Sequence, residues 1–191
     1  MSRLPPLRPE QLRPDQRERH EALAESRPVD TDGQFGGPFD VWIRSPEVAQ
    51  RMLGIGGFLR QRATVGRRPV EVAILVTGRF WKSDFEWWAH ARLARESGVD
   101  DATIEAIFDQ RRPENALPAE LVAHDVARAL HDTHELPRAV YDAAVAEVGE
   151  EGLVEIIATI GYYTFVSMTL NAFTVSVPPG VDPPFPRPPE G

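Results

Sequence analysis

The chain has 191 residues, of which 42% are hydrophobic and 26% charged, with a formal net charge of −8. That length fits one ordinary domain over residues 1–191 with a single substantial core. The acidic balance argues against a nucleic-acid partner, which needs clustered Lys and Arg. The absence of cysteine rules out disulfides, thiolate metal sites, Fe–S clusters and every thiol-based mechanism.

The N-terminal "MSRLPPLRPEQ" has no apolar signal-peptide region, and no stretch reaches the roughly 20 uncharged apolar residues of a membrane helix. The expectation is a soluble cytoplasmic protein with no membrane contact. Residues 1–14 are punctuated by proline and read as an extended arm, followed by a helix from Asp15 to Ser26. In "VDTDGQFGGPFDVWIRSPEVAQ" three Gly and two Pro surround Phe35, Phe39 and Trp42, which reads as a loop whose rings either seal the core or line a pocket. Ser45 is placed to cap a helix that opens with Pro46 and runs to about Gln61. Pro69 opens the next helix, "VEVAILVTGRFW" continuing it, apolar on nearly every side and therefore buried. Glu71 lies inside that run, where a carboxylate is expensive unless paired or put to use.

A helix from Ser83, a short helix in "SGVDDATIEAIFD" and amphipathic helices over 118–134 and 137–148 follow, with Ala, Leu and Val at three- and four-residue spacing. The segment from Glu150 to Val175 is too apolar for a helix with one side in water, so it is either central or covered by another subunit. Residues 176–191 form a proline-rich tail, expected to wrap the surface or stay unstructured. No strand alternation is present, so the fold class is all-α.

The chemistry concentrates in "SDFEWWAHARLA", residues 83–94. Ser83, Glu86 and His90 are three and four residues apart and share one helix face. A Glu four residues before a His can fix its tautomer and make a proton-handling pair near neutral pH. Glu71 could join that site through a water. Ser-x-x-Glu is also the capping-box pattern, in which Ser83 and Glu86 only satisfy backbone amides. Trp87 and Trp88 would supply flat apolar walls.

These residues resemble a known family. "VEVAILVTGRFWKSDFEWWAHARLARESGV" is similar to the core of the carboxymuconolactone decarboxylase-like proteins, of the alkylhydroperoxidase D-like superfamily. The peroxidase branch carries a Glu, then Cys-x-x-Cys twelve residues on, then His four beyond. Glu71, Ser83, Glu86 and His90 fall on those four positions, with both thiols replaced. The resemblance therefore implies the cysteine-less decarboxylase branch, a helical-hairpin core with extra N-terminal helices, no cofactor, and a homo-oligomer, trimeric or hexameric.

It also implies a lyase acting on a small carboxylated lactone or related conjugated acid, with His90, Glu86 and Glu71 as catalytic residues. Arg60, Arg62 or Arg79 would clamp the substrate carboxylate, since guanidinium groups bind carboxylates through two parallel hydrogen bonds. Ser83, Phe39, Trp42, Trp87, Tyr162 and Asn171 complete the expected substrate contacts, with Tyr163 beside them. The same pair would equally serve an isomerase or a hydrolase acting on another ring, and a helical oligomer could bind a ligand without turnover. The run "AHDVARALHDTHELP" places His124, Asp125, His131, Asp132 and His134 near a helix end, where solvated residues are the expectation and no metal site is assigned.

Overall fold

The apolar run from Val70 to Val76 decides where the core sits, because a helix apolar on all sides must be covered on all sides. The computed structural model describes residues 2–185; residues 186–191, the end of the proline-rich tail, lie outside the described residues. It contains α1 (Pro14–Ala24), α2 (Phe39–Trp42), α3 (Pro46–Gln61), α4 (Arg67–Phe80), α5 (Asp84–Ser97), α6 (Asp101–Phe108), α7 (Pro118–Thr133) and α8 (Arg138–Ala172), and no strand among the described residues. The fold is all-α. α4 packs against α5, α7 and α8, while α3 bridges α1 and α8.

Val70, Val72, Ile74, Leu75 and Val76 are each at most 2% exposed. Burying such side chains stabilises by about 1.5–3 kcal/mol apiece, against a cost of several kcal/mol for an ion taken from water. The core can therefore hold Glu71, which is fully buried in the same helix.

Several boundaries differ from the sequence reading for physical reasons. α4 begins at Arg67, two residues before Pro69, because a proline in the first turn gives up an N–H that has no helical partner. Gly66 precedes it at φ 87°, a conformation that side chains with a Cβ rarely adopt. The loop around Phe39 and Trp42 contains the single turn of α2. The N-terminal arm includes a 3-10 turn at Pro9–Gln11 and pairs Arg3 N with Phe173 O at 3.0 Å. Ser45 precedes α3 without a side-chain capping bond.

The expected separation between residues 148 and 150 appears as a break inside α8, where Gly149 adopts φ 72° and ψ 174°. Beyond it the helix ends at Ala172, three residues before the expected Val175. Contrary to the sequence reading, α8 is long and apolar enough to cross a membrane by length and composition, with a mean hydropathy of 1.5 over its most apolar window. More than half of that window, 56%, is buried inside the protein. Val154, Ile157 and Met168 remain exposed along one side of it.

The tail returns to the body at Phe185. Its backbone N–H donates to Asp84 Oδ1 at 3.0 Å, and its ring stacks on Phe108 with centroids 5.6 Å apart.

Candidate active site

Adjacent residues on a helix point about 100° apart, so the two tryptophans of α5 cannot share a surface. Trp87, with Ala91 and Ala94, faces the core, its ring 5.1 Å from Phe108 and 5.9 Å from Phe185. Glu86, Ala89, His90 and Leu93 face the other way, with Trp88 beside them, into a cavity of about 360 Å³. Of the two expected tryptophan walls, only Trp88 is one.

α4 and α5 bring the acid–base residues together. His90 Nδ1 lies 2.7 Å from Glu71 Oε2, and Glu71 Oε1 accepts from Arg67 Nε at 3.1 Å. Glu71 therefore touches the imidazole directly, where the sequence reading placed a water between them. Burial pushes the Glu71 carboxyl up, but the His90 hydrogen bond and the charges of His90 and Arg67 outweigh it and hold the pKa below its ordinary value. An ionised carboxylate only accepts, so the His90 proton on this side sits on Nδ1.

The other ring nitrogen meets a different environment. His90 Nε2 is 3.4 Å from Glu86 Oε2, and that oxygen is buried without a hydrogen-bond partner. Burial raises the Glu86 pKa above its ordinary value, with His90 and Arg60 pulling it back. The sequence reading assigned orientation of His90 to Glu86 and a remote role to Glu71. The geometry exchanges them: Glu71 grips the ring and Glu86 faces the cavity beside Nε2.

Tyr163 packs its ring edge against His90, centroids 4.9 Å apart, and burial lifts its hydroxyl well above the usual phenol pKa. Tyr162, pushed up to about 12 by burial, also lines the cavity. Its hydroxyl sits where a Cβ on Gly56 would come within 2.3 Å, so α3 needs glycine at that crossing. Phe39 and Trp42 line the same space, Trp42 held by stacking on Phe165 and by Nε1 donating to Thr169 Oγ1 at 3.4 Å. Arg60 reaches the cavity from α3.

Five expected contacts lie elsewhere. Ser83 is fully buried at the start of α5 with an unpartnered Oγ, makes no side-chain capping bond and lines no part of the cavity. Neither arm of the capping box is therefore made. Arg79 donates Nε to Phe108 O at 2.5 Å and lies over the Phe108 and Phe185 rings, bracing the tail. Asn171 donates to Trp81 O at 2.8 Å, away from the cavity lining, and Trp87 belongs to the core. Arg62 lies over the Phe58 ring.

In the His-rich run, His124 and His131 are buried rather than solvated. His124 pairs with Asp125 at 3.0 Å. His131 meets Thr77 Oγ1 at 3.1 Å and stacks on Phe80, and burial lowers its pKa to about 4. The sequence reading missed Arg27 and Phe85, both of which line the cavity. No local pattern marks either, because each arrives only through tertiary packing.

Residues 46–129 match the family model described as the carboxymuconolactone decarboxylase family. No curated protein is a significant match. Among solved structures, a Ralstonia eutropha protein described as an alkylhydroperoxidase AhpD core, uncharacterized and peroxidase-related, superposes with a TM-score of 0.74 at 14% identity over 93% of each chain. An uncharacterized peroxidase-related protein from a Silicibacter species gives 0.72 at 14% identity, over 91% of this chain and 90% of the other. The debrominase Bmp8, as a variant in complex with 2,3,4-tribromopyrrole, gives 0.68 at 14% identity over 87% of each chain. At such identities the likeness establishes the fold. The match includes Arg60, Glu71, Glu86 and His90, whereas Arg27, Phe39, Trp42, Tyr162 and Tyr163 fall outside it.

Proposed function

From the match of residues 46–129 to the carboxymuconolactone decarboxylase family model and the AhpD-like fold of the chain, we propose that the cavity is the active site of a cofactor-free carbon–carbon lyase. Its substrate is a small carboxylated lactone or related conjugated acid. One observation carries this reading: a buried, ionised Glu71 holds His90 by Nδ1, while Nε2 lies beside a carboxyl that burial keeps protonated to higher pH. That arrangement stores a proton next to an aromatic-lined space and leaves the imidazole free to relay it.

In the reaction, the bond from the ring carbon to its carboxylate breaks and its electron pair passes into the conjugated carbonyl as CO₂ leaves. The proton held between Glu86 and His90 Nε2 then adds to carbon, and water restores it to the site. Glu71 keeps the imidazole oriented throughout, and its negative charge stabilises the imidazolium if the ring carries the proton transiently. Arg60 holds an anionic group of the substrate. A thiol peroxidase cycle has no nucleophile here, since the chain has no cysteine. The exposed apolar side of α8 supports a homo-oligomer in the same reading.

The test is ultraviolet-monitored turnover of 4-carboxymuconolactone with CO₂ captured and His90→Ala alongside, on protein sized by light scattering. The expected result is CO₂ release that falls by about 10²–10⁴ in the variant, the usual worth of general acid–base catalysis. Turnover without CO₂ would replace the lyase by an isomerase or hydrolase using the same pair. Ligand binding without turnover would leave a non-catalytic binder, and a monomer on light scattering would sink the oligomer.

A further inference from the structure

Three arginines and one carboxyl line the cavity besides His90: Arg27, Arg60, Arg92 and Glu86. Arg92 already pairs with Glu96 at 2.5 Å. Arg60 donates Nε to Gly56 O at 3.0 Å, and among the described residues no carboxylate lies within ion-pair distance of its guanidinium. The Arg27 side chain has neither a hydrogen bond nor an ion pair among the described residues; its guanidinium carbon sits 4.1 Å over the Phe39 ring. Both side chains are half-buried, and both also line a hollow of about 290 Å³ between α1 and α3, so together they form a wall shared by the two spaces.

Two cations held close in a half-buried wall repel each other and lose hydration, which a counter-ion relieves. Burial, and then the charge of Arg60, lower the Arg27 pKa, consistent with that strain. The chain has a net charge of −8, yet among the described residues no carboxylate forms an ion pair with either arginine, and Glu86, the one carboxyl in the same lining, acts on Arg60 only at longer range while burial favours its protonated form. An anionic group on a ligand would supply the close pairing that the two guanidinium groups lack. The rest of the lining is flat and apolar, with Phe35, Phe39, Trp42, Phe85 and Trp88 around the space.

We propose that Arg27, supplied by the segment that follows α1 and lies outside the family-matched region, completes with Arg60 a two-guanidinium seat for the substrate's anionic group, and so selects flat ring anions over neutral rings. Arg27 is a specificity residue here, with no part in the proton transfer. Stacked on Phe39, it is preorganised to present its planar fork, which lowers the entropy lost on binding. The inference rests on reading the cavity as the substrate site.

The experiment titrates intrinsic tryptophan fluorescence, to which Trp42 and Trp88 in the lining contribute, with benzoate and with its neutral isostere benzamide. Wild type, Arg27→Gln and Arg27→Lys are compared at low and high salt. Wild type should bind benzoate more tightly than benzamide. Arg27→Gln should weaken benzoate about tenfold, the worth of a charge-assisted hydrogen bond, leave benzamide within about twofold and flatten the salt dependence. Arg27→Lys keeps the charge without the fork and should fall between.

Equal loss for both ligands would make Arg27 a packing residue and overturn the proposal, as would an unchanged variant or a wild type that fails to bind benzoate. The readout needs no turnover. Anion selectivity alongside a failed CO₂ assay removes the lyase and keeps the seat, and the reverse pattern removes the seat alone.

Discussion

Glu71 and Glu86 stand on opposite sides of one imidazole, both buried, and their carboxylate oxygens are partnered differently. Glu71 has both oxygens partnered, one by His90 and one by Arg67. Glu86 has a buried oxygen with none. The pKa values move in opposite directions, down for Glu71 and up for Glu86. Burial alone therefore does not decide whether a carboxylate stays ionised; the count of partners does. One glutamate serves as a fixed negative charge and its neighbour as a proton store.

Breaking the partnered side should have the largest effect. Glu71→Ala orphans the buried His90 Nδ1–H, whereas Arg67, with 44% of its side chain exposed, can turn to water. The expected loss is about 3 kcal/mol, the lower end of the range for a broken buried pair, measured by urea unfolding near pH 7. In the wild type, the stability from Glu71 is complete above its ordinary value of 4.5 and is lost as pH falls through its depressed native pKa. The variant should lose that acid-side dependence. A variant as stable as wild type would show that the Glu71–His90 contact contributes nothing.

The unpartnered side should respond with the opposite sign. With a raised native pKa, Glu86 contributes stability that is complete below its ordinary value of 4.5 and is lost as pH rises through the raised value. Glu86→Gln keeps the shape and removes the ionisation, so stability at neutral to alkaline pH should rise by about 0.5–2 kcal/mol, and the alkaline decline should flatten. Turnover should fall at the same time, the usual exchange of stability for a strained active site. A destabilised Glu86→Gln would mean that the carboxylate is satisfied in solution and stores no proton.

This division was only partly legible in the sequence. Four-residue spacing placed Glu86 and His90 on one face of α5, and periodicity located the helices because their apolar stripes are local properties. The 18 residues between Glu71 and His90 cross a turn between two helices, so no spacing rule joins them; the cost of burying its carboxylate suggested a link through a water, and the family resemblance gave Glu71 its place in the site. The Trp87–Trp88 pair was decidable, since Trp87 falls in register with core residues Ala91 and Ala94 and Trp88 does not. Arg27 and Arg79 were not, because the destination of a long cationic side chain depends on which helices pass nearby. The Ser83–Glu86 capping pattern, which spacing left open beside the pocket reading, is not formed because its local bonds compete with burial of both side chains in the packed core and cavity wall.

The smallest effect separates the two sides by steric room. In α4, a methyl at Gly78 would meet Glu86 Cβ at 3.5 Å and Trp87 N at 3.8 Å, both ordinary contacts. Gly78→Ala should therefore keep the helix-propensity gain of about 0.5–1 kcal/mol. In α3, a methyl at Gly56 would reach within 2.3 Å of the Tyr162 hydroxyl and 2.7 Å of the ring carbon bearing it. The same propensity gain is then set against about 1–3 kcal/mol of overpacking, leaving a net loss of about 1 kcal/mol by thermal unfolding. Tyr162 yields by moving within the cavity that Glu86 faces, so ligand affinity should fall in Gly56→Ala while the acid-side stability contributed by Glu71 stays unchanged. Were the acid limb to shift as well, the two faces of His90 would be mechanically coupled, and the proton store could not be tuned apart from the charge that holds the ring.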